Sequence, residues 1–227
     1  MVFSSSYLMI VLVALGLGLI TQGWVKGAFK KYSVVPLSSG QTGAEVARAM
    51  LDANGLNDVH IEVVSGRLTD HYDPRSRVLR LSPQVHGGKT VAAAGVASHE
   101  AGHAVQHAKS YAFARIRQAI VPAAQIGSQI SFPLIFLGLI IGVTGLVWVG
   151  VIMYSAAVLF QVVTLPVEFD ASRRAMAALQ SGQTGATYPP EQVAGARKVL
   201  TAAAMTYLAA TLIALMYLLY FLGLARR

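Results

Sequence analysis

Three stretches of this chain carry no charged side chain, and they dictate its fold class before any other feature. Tyr7–Trp24, Ile120–Pro166 and Val199–Leu224 are uncharged from end to end. A bilayer core takes about 20 apolar residues of helix, so the first and last stretches each cross once. The middle one is too long for a single pass. Gly142-Val143-Thr144-Gly145 is its natural turn, which leaves spans near Ile120–Ile141 and Leu146–Leu165. The expectation is an α-helical membrane protein with four transmembrane helices. Composition agrees: of 227 residues, 55% are hydrophobic and only 12% charged, against about 25% charged in soluble domains.

Tyr7–Trp24 has the length of a cleavable signal as well. No basic residue precedes it, however, and no small-x-small site follows before Lys26-Gly27-Ala28, so a retained anchor is expected. The net charge of +8 has a placement that argues against nucleic acid. Lys26, Lys30 and Lys31 follow the first span, and Arg115 and Arg117 precede the second. Arg173 and Arg174 follow the third, and Arg197 and Lys198 precede the fourth. With four crossings all of these fall on one side, and the positive-inside rule makes that side the cytoplasm. Only Arg226 and Arg227 oppose them.

The polar region between the first two spans holds the chemistry. Val91–Ala108 reads as helix and contains His99-Glu100-Ala101-Gly102-His103, an H-E-x-x-H motif. Residues four apart on a helix share one face, so His99 and His103 can grip one metal ion. Glu100 falls beside them, placed to act as a base toward water activated there. This is the arrangement of zinc-dependent peptidases. The alternative, two surface histidines beside a stray carboxylate, sits badly with so apolar a helix. The chain has no cysteine, so His and carboxylate must supply any zinc ligands.

Ahead of that helix, Ala44–Asn54 has helical spacing of apolar residues, and Val59–Val64 alternates like a strand with one buried face. Asp70-His71-Tyr72-Asp73-Pro74 reads as turn, Arg77–Leu81 as a second short strand, and Ser82-Pro83 as a helix start.

Catalytic zinc usually takes three protein ligands. His107 continues the helix face but lies about 6 Å further along it, too far to chelate the same ion. Glu168, just past the third span, is the better candidate. The hairpin crosses twice and so returns Glu168 to the side of His99 and His103. A helix-dipole role is the alternative for Glu168. Asp170 either orients a ligating histidine or serves as a dipole or salt-bridge acid.

Taken together, Ser39-Gly-Gln-Thr-Gly-Ala-Glu-Val-Ala-Arg, Asp70–Pro74, Leu81-Ser-Pro, His99–His107 and Leu165-Pro-Val-Glu-Phe-Asp-Ala-Ser resemble the YugP-like neutral zinc metallopeptidases of bacterial membranes. More distantly the chain is similar to the HtpX-like membrane proteases, where an aspartate follows the ligating glutamate by four residues. Here that position is Ser172, and the acid is Asp170. The resemblance implies a zinc endopeptidase with a compact α/β catalytic unit of gluzincin type, acting on protein or peptide substrates. With the spans and charges above, the expected division is a first transmembrane helix (1–25), a cytoplasmic metallopeptidase region (26–118), a transmembrane hairpin (119–166), a cytoplasmic segment with the third ligand (167–198) and a last transmembrane helix (199–225). Tyr72, His71 and Arg173 are candidate donors to a developing oxyanion. Arg77–Leu81, if an edge strand, offers main-chain pairing to an extended substrate.

Rival readings are a metal-dependent hydrolase of a non-peptide substrate and a catalytically idle membrane scaffold with a structural metal. A third, an intramembrane protease of the site-2 type, would bury the motif within a span. The polar residues from Ser98 to Gln118 argue for a polar domain instead.

Overall fold

The computed structural model describes residues 5–226, so Arg227 lies outside the described residues. The chain is mostly helical: α1 (Ser5–Tyr32), α2 (Gly43–Asp52), β1 (His60–Val63), β2 (His71–Asp73), β3 (Val78–Leu81), α3 (Pro83–His86), α4 (Val91–Ala108), α5 (Ala112–Ile141), α6 (Thr144–Ser181) and α7 (Pro190–Ala225). Helices α1, α5, α6 and α7 are each long and apolar enough to cross a membrane. The chain divides into two compact units, one of residues 5–22, 112–166 and 205–226, the other of 23–111 and 167–204.

In the first unit α5 and α6 form a hairpin around Gly142, whose φ of +74° is readily adopted only without a side chain. Glycines let the two backbones approach closely. A methyl group at Gly150 would lie 2.9 Å from the Ser131 carbonyl oxygen, and one at Gly138 would lie 2.9 Å from the Val147 nitrogen. Such small-residue contacts are the usual means of packing helices in lipid. By contrast, methyl groups at Gly16 and Gly18 would meet nothing within 4 Å. Neither glycine therefore marks a close helix contact. Phe132, Tyr154 and the buried Phe221 fill the unit's core, with ring centroids 5.3–6.0 Å apart.

The second unit begins from a firmly capped helix. Thr42 and Glu45 form a capping box on α2: Glu45 Oε2 accepts from Thr42 N at 2.7 Å, and Thr42 Oγ1 accepts from Glu45 N at 3.2 Å. Arg48 then ties α2 to the following loop by donating to the Leu56 and Val59 carbonyls at 2.7 and 2.6 Å. Asp70 accepts from Ser82 N and Oγ at 2.7 and 3.0 Å, so the Ser82 hydroxyl serves Asp70 rather than the helix end it precedes.

The sheet has three strands in the order β1-β3-β2. Three sequence expectations change here. His71–Asp73 is a strand, paired antiparallel to β3, although its neighbours are turn residues. The hairpin closes through Arg77 at φ +55°, while Asp73 accepts from Arg75 N and Ser76 Oγ. Those bonds hold the Asp73 carboxyl down at about 2. Secondly, β3 is the central strand and not an edge: β1 flanks it in parallel and β2 antiparallel. Nor does β1 bury a whole face, since Val59 just before it is buried but Val63 is 56% exposed.

Helix α4 coincides with the run read as helix. Its alanines, Ala92, Ala97, Ala101 and Ala104, pack into one core with Leu79, Leu81 and α2. Val91 and Ala94 pack into a second core with Ala175 and Leu179 of α6 and Ala196 of α7. The crossing with α6 is tightest at Gly102, where an added methyl would lie 2.8 Å from the Ala171 carbonyl oxygen.

Gly102→Val should therefore force α4 and α6 apart and cost about 1–3 kcal/mol of stability, the usual cost of overpacking. Gly87→Ala is the control, because its new methyl meets only the Pro83 oxygen at 3.7 Å. Thermal unfolding followed by circular dichroism should show a lowered midpoint for the first and a near-unchanged one for the second.

Candidate metal centre

The α4–α6 crossing brings three side chains together. His99 and His103, one turn apart, stand edge to face with centroids 4.8 Å apart. From α6, the Glu168 carboxylate approaches both: its Oε2 lies 3.2 Å from His99 Nε2 and 3.6 Å from His103 Nε2. One ligand atom from each of the three falls within 4.8 Å of the others.

The donor set fits zinc. A tetrahedral ion with bonds of about 2.0–2.2 Å needs its ligand atoms about 3.3–3.6 Å apart, and the two separations from Glu168, 3.2 and 3.6 Å, lie close to that range. Two imidazoles and a carboxylate also leave a fourth position open, as catalytic sites do. Charge argues the same way. The Glu168 side chain is 3% exposed, and a buried carboxylate facing two neutral imidazoles is costly unless a cation joins them. Burial works to raise the Glu168 pKa, but hydrogen bonds from His103 and His99 outweigh it and hold the carboxyl well below its usual range. At His103 burial works to lower the pKa, and Glu168 beside it reverses that and raises it.

Each imidazole is held on its far side. His99 Nδ1 meets Ser172 Oγ at 3.1 Å, and His103 Nδ1 meets Gln106 Oε1 at 3.0 Å. Gln106 Nε2 donates to the Val167 carbonyl at 2.8 Å and to Asp170 Oδ2 at 2.9 Å. Asp170 in turn accepts from Arg174 Nε at 2.6 Å and from Arg173. Asp170 thus reaches a candidate ligand only through Gln106. Sequence reasoning missed Gln106 and the contact of Ser172. The signals were there: Gln106 lies three residues past His103 on the same helix, and Ser172 lies four past Glu168.

Glu100 is the polar neighbour of this group. Burial raises its pKa, the two imidazoles oppose that, and the charges of Glu168 and Asp70 add to it. A carboxyl poised above its ordinary value is a better proton acceptor near neutral pH.

The remaining candidates stand apart from the cluster. His107 is exposed, and its Nδ1 meets Tyr72 Oη at 2.9 Å. Burial raises the Tyr72 pKa, so its hydroxyl stays protonated. His71 is exposed and bonds the Thr69 carbonyl at 2.8 Å. Arg173, with a side chain 77% exposed, is paired with Asp170. Helix α4 itself is not among the four described helices that are long and apolar enough to cross a membrane.

Comparison with known proteins places the chain in a family. The family described as "Putative neutral zinc metallopeptidase" matches residues 7–226. The chain belongs to that family. It is also 49% identical over 216 residues to "Putative membrane protease YugP" of Bacillus subtilis (strain 168), covering 95% of this chain and 94% of that protein. No solved structure matches. A zinc peptidase family implies zinc, and the donor set of His99, His103 and Glu168 suits it.

Purified chain should carry about one Zn²⁺, measured by mass spectrometry of metal content. His99→Ala, His103→Ala and Glu168→Ala should each lose it, by more than the roughly 10–100-fold typical of outer partners. His107→Ala should keep it. Retention by the Glu168 variant alongside loss in the His107 variant would reverse the ligand assignment.

Proposed function

We propose that this chain is a membrane-embedded zinc endopeptidase of gluzincin type, with His99, His103 and Glu168 holding the metal and Glu100 acting as the base. The observation that carries the reading is the Glu100 carboxylate, with its pKa raised by burial, adjoining a His-His-Glu group of zinc dimensions. When bound, zinc supplies a Lewis acid that polarises a carbonyl and acidifies water. Glu100 accepts a proton from the attacking water. As the oxygen–carbon bond forms and the carbon–nitrogen bond breaks, it delivers that proton to the leaving amine. Glu168 and the two histidines stay in place throughout, positioned by Ser172 and Gln106.

A protein or peptide substrate is favoured by the sheet. Strand β2 ends the sheet, pairing with β3 on one side, and its other edge is the candidate one for an extended chain. Asp70, just before β2, acts electrostatically on Glu100, and Tyr72 reaches His107. The strand therefore lies beside α4, within reach of Glu100 and His107. The Tyr72 hydroxyl, anchored by His107, is the candidate donor to substrate on this path. Zinc is the cofactor; lipid is the surrounding partner.

For location, the chain enters and leaves the second unit next to α1, α5, α6 and α7, and those junctions are flanked by Lys30, Lys31, Arg115, Arg173 and Arg197. If the four helices span the bacterial inner membrane, the positive-inside rule puts the metal centre in the cytoplasm. Exclusion of nucleic acid follows from the same distribution.

Glu100→Gln should retain zinc and fold while lowering casein or peptide-library cleavage by about 10²–10⁴-fold, and a chelator should abolish wild-type cleavage. Undiminished cleavage by the variant would sink the mechanism. Zinc retention with no cleavage even in the wild type would favour a non-peptide substrate or an idle scaffold.

Reporter fusions give a separate expectation for topology. Fusions after Gly27 and after Ser181 should both report cytoplasm, and one within Gly142–Gly145 the opposite side. Opposite sides for the first two would leave Glu168 out of reach of His99 and His103.

A further inference from the structure

We infer that Gln106 is a positioning residue that sets the protonation pattern of His103, and that Asp170 acts on the metal centre only by fixing which way the Gln106 amide faces. This rests on reading His99, His103 and Glu168 as a zinc site.

The argument is one of hydrogen-bond direction. An amide nitrogen has two protons and no acceptor capacity, while its oxygen only accepts. The Gln106 side chain is buried, at 1% exposure. Its Nε2 faces two groups that can only accept, the Val167 carbonyl at 2.8 Å and Asp170 Oδ2 at 2.9 Å. Turning the amide over would set an oxygen against a carbonyl and a carboxylate, breaking both bonds and bringing acceptors face to face. Such unmade bonds cost about 1–3 kcal/mol each. The carboxylate is itself held by Arg174 and Arg173, so it cannot swing aside. The amide orientation is therefore single-valued.

That orientation presents an acceptor to His103 Nδ1 at 3.0 Å. His103 must then carry a proton on Nδ1, which leaves Nε2, the nitrogen facing Glu168, as the one a metal can take. This is the form a metal requires. His99 is different. Its Nδ1 partner is the Ser172 hydroxyl, which can donate or accept, so that contact holds the ring without dictating the tautomer. The two histidines are unequal: His103 is preset for the metal and His99 adapts. A neutral amide also achieves this without adding another carboxylate beside Glu100 and Glu168, where a further buried negative charge would be costly. Because Val167 and Asp170 flank Glu168 on α6, one side chain of α4 sets a ligand and grips the segment that bears the third.

The test is zinc affinity by competition with a chromogenic chelator, with unfolding midpoints as the control for folding. Gln106→Met, close in size but unable to bond, should weaken zinc by about 10–100-fold. Ser172→Ala should weaken it less. The decisive comparison is Gln106→Glu alone against Gln106→Glu with Asp170→Asn. Alone, the new carboxylate faces Asp170 and should weaken zinc. In the pair, the amide introduced at position 170 donates to the carboxylate introduced at position 106, which still accepts from His103. Affinity should then recover at least severalfold over the single variant, an outcome that packing alone does not produce. Wild-type affinity in Gln106→Met, or additive losses in the pair, would overturn the relay while leaving the zinc site intact. If Gln106→Met does not fold, the comparison of the two Gln106→Glu proteins decides alone. A wild-type chain that binds no zinc would overturn the underlying reading of the centre as well.

Discussion

The Glu168 carboxylate is charged and nearly sealed from solvent, and much of the second unit follows from what it takes to keep it there. A carboxylate in such a place must be met by positive or donating groups. It is met by His99 and His103, 3.2 and 3.6 Å away on a different helix. That contact is available only because α4 and α6 cross closely. The crossing is close because Gly102 presents no side chain to Ala171 and because the rest of α4 is lined with alanine. Small residues here are therefore a condition of the site's chemistry as well as of packing.

Around the cluster, polar groups are arranged to give direction. Ser172 and Gln106 hold the far sides of the two imidazoles, and Asp170, gripped by two arginines, holds Gln106. Burial works against the charge on Asp170, yet the bonds from Gln106, Arg174 and Arg173 outweigh it and lower its pKa. Buried polar networks of this kind specify one arrangement when every member is satisfied. Here the members come from both α4 and α6, so the geometry of the candidate ligands and the docking of the two helices are set together.

The same logic separates the two units. The first packs by glycine contacts and aromatic edges. This suits lipid, where apolar burial drives nothing and close fit matters most. The second is built like a water-exposed domain, with a capping box on α2, a hairpin tied by Asp73 and a sheet packed on an alanine-rich helix.

By itself the sequence determined the four long apolar helices, the α4 boundaries and the grouping of His99, Glu100 and His103. Each is a local matter: uncharged length, helical period and the i to i+4 spacing need no partner to be read. Glu168 was reached by counting membrane crossings, a topological argument that also needs no coordinates. Only the tertiary structure decided the rest. His71–Asp73 is a strand because β3 lies beside it, and three residues flanked by turn formers carry no pattern of their own. For the same reason β3 proved central, since strand order is a long-range property. Asp170 was legible as either an orienting or a salt-bridge acid, but its contact with Gln106 was not, nor was the contact of Ser172 with His99. Those bonds join residues 64 to 73 positions apart. No spacing rule spans that distance, and only the crossing at Gly102 makes them neighbours.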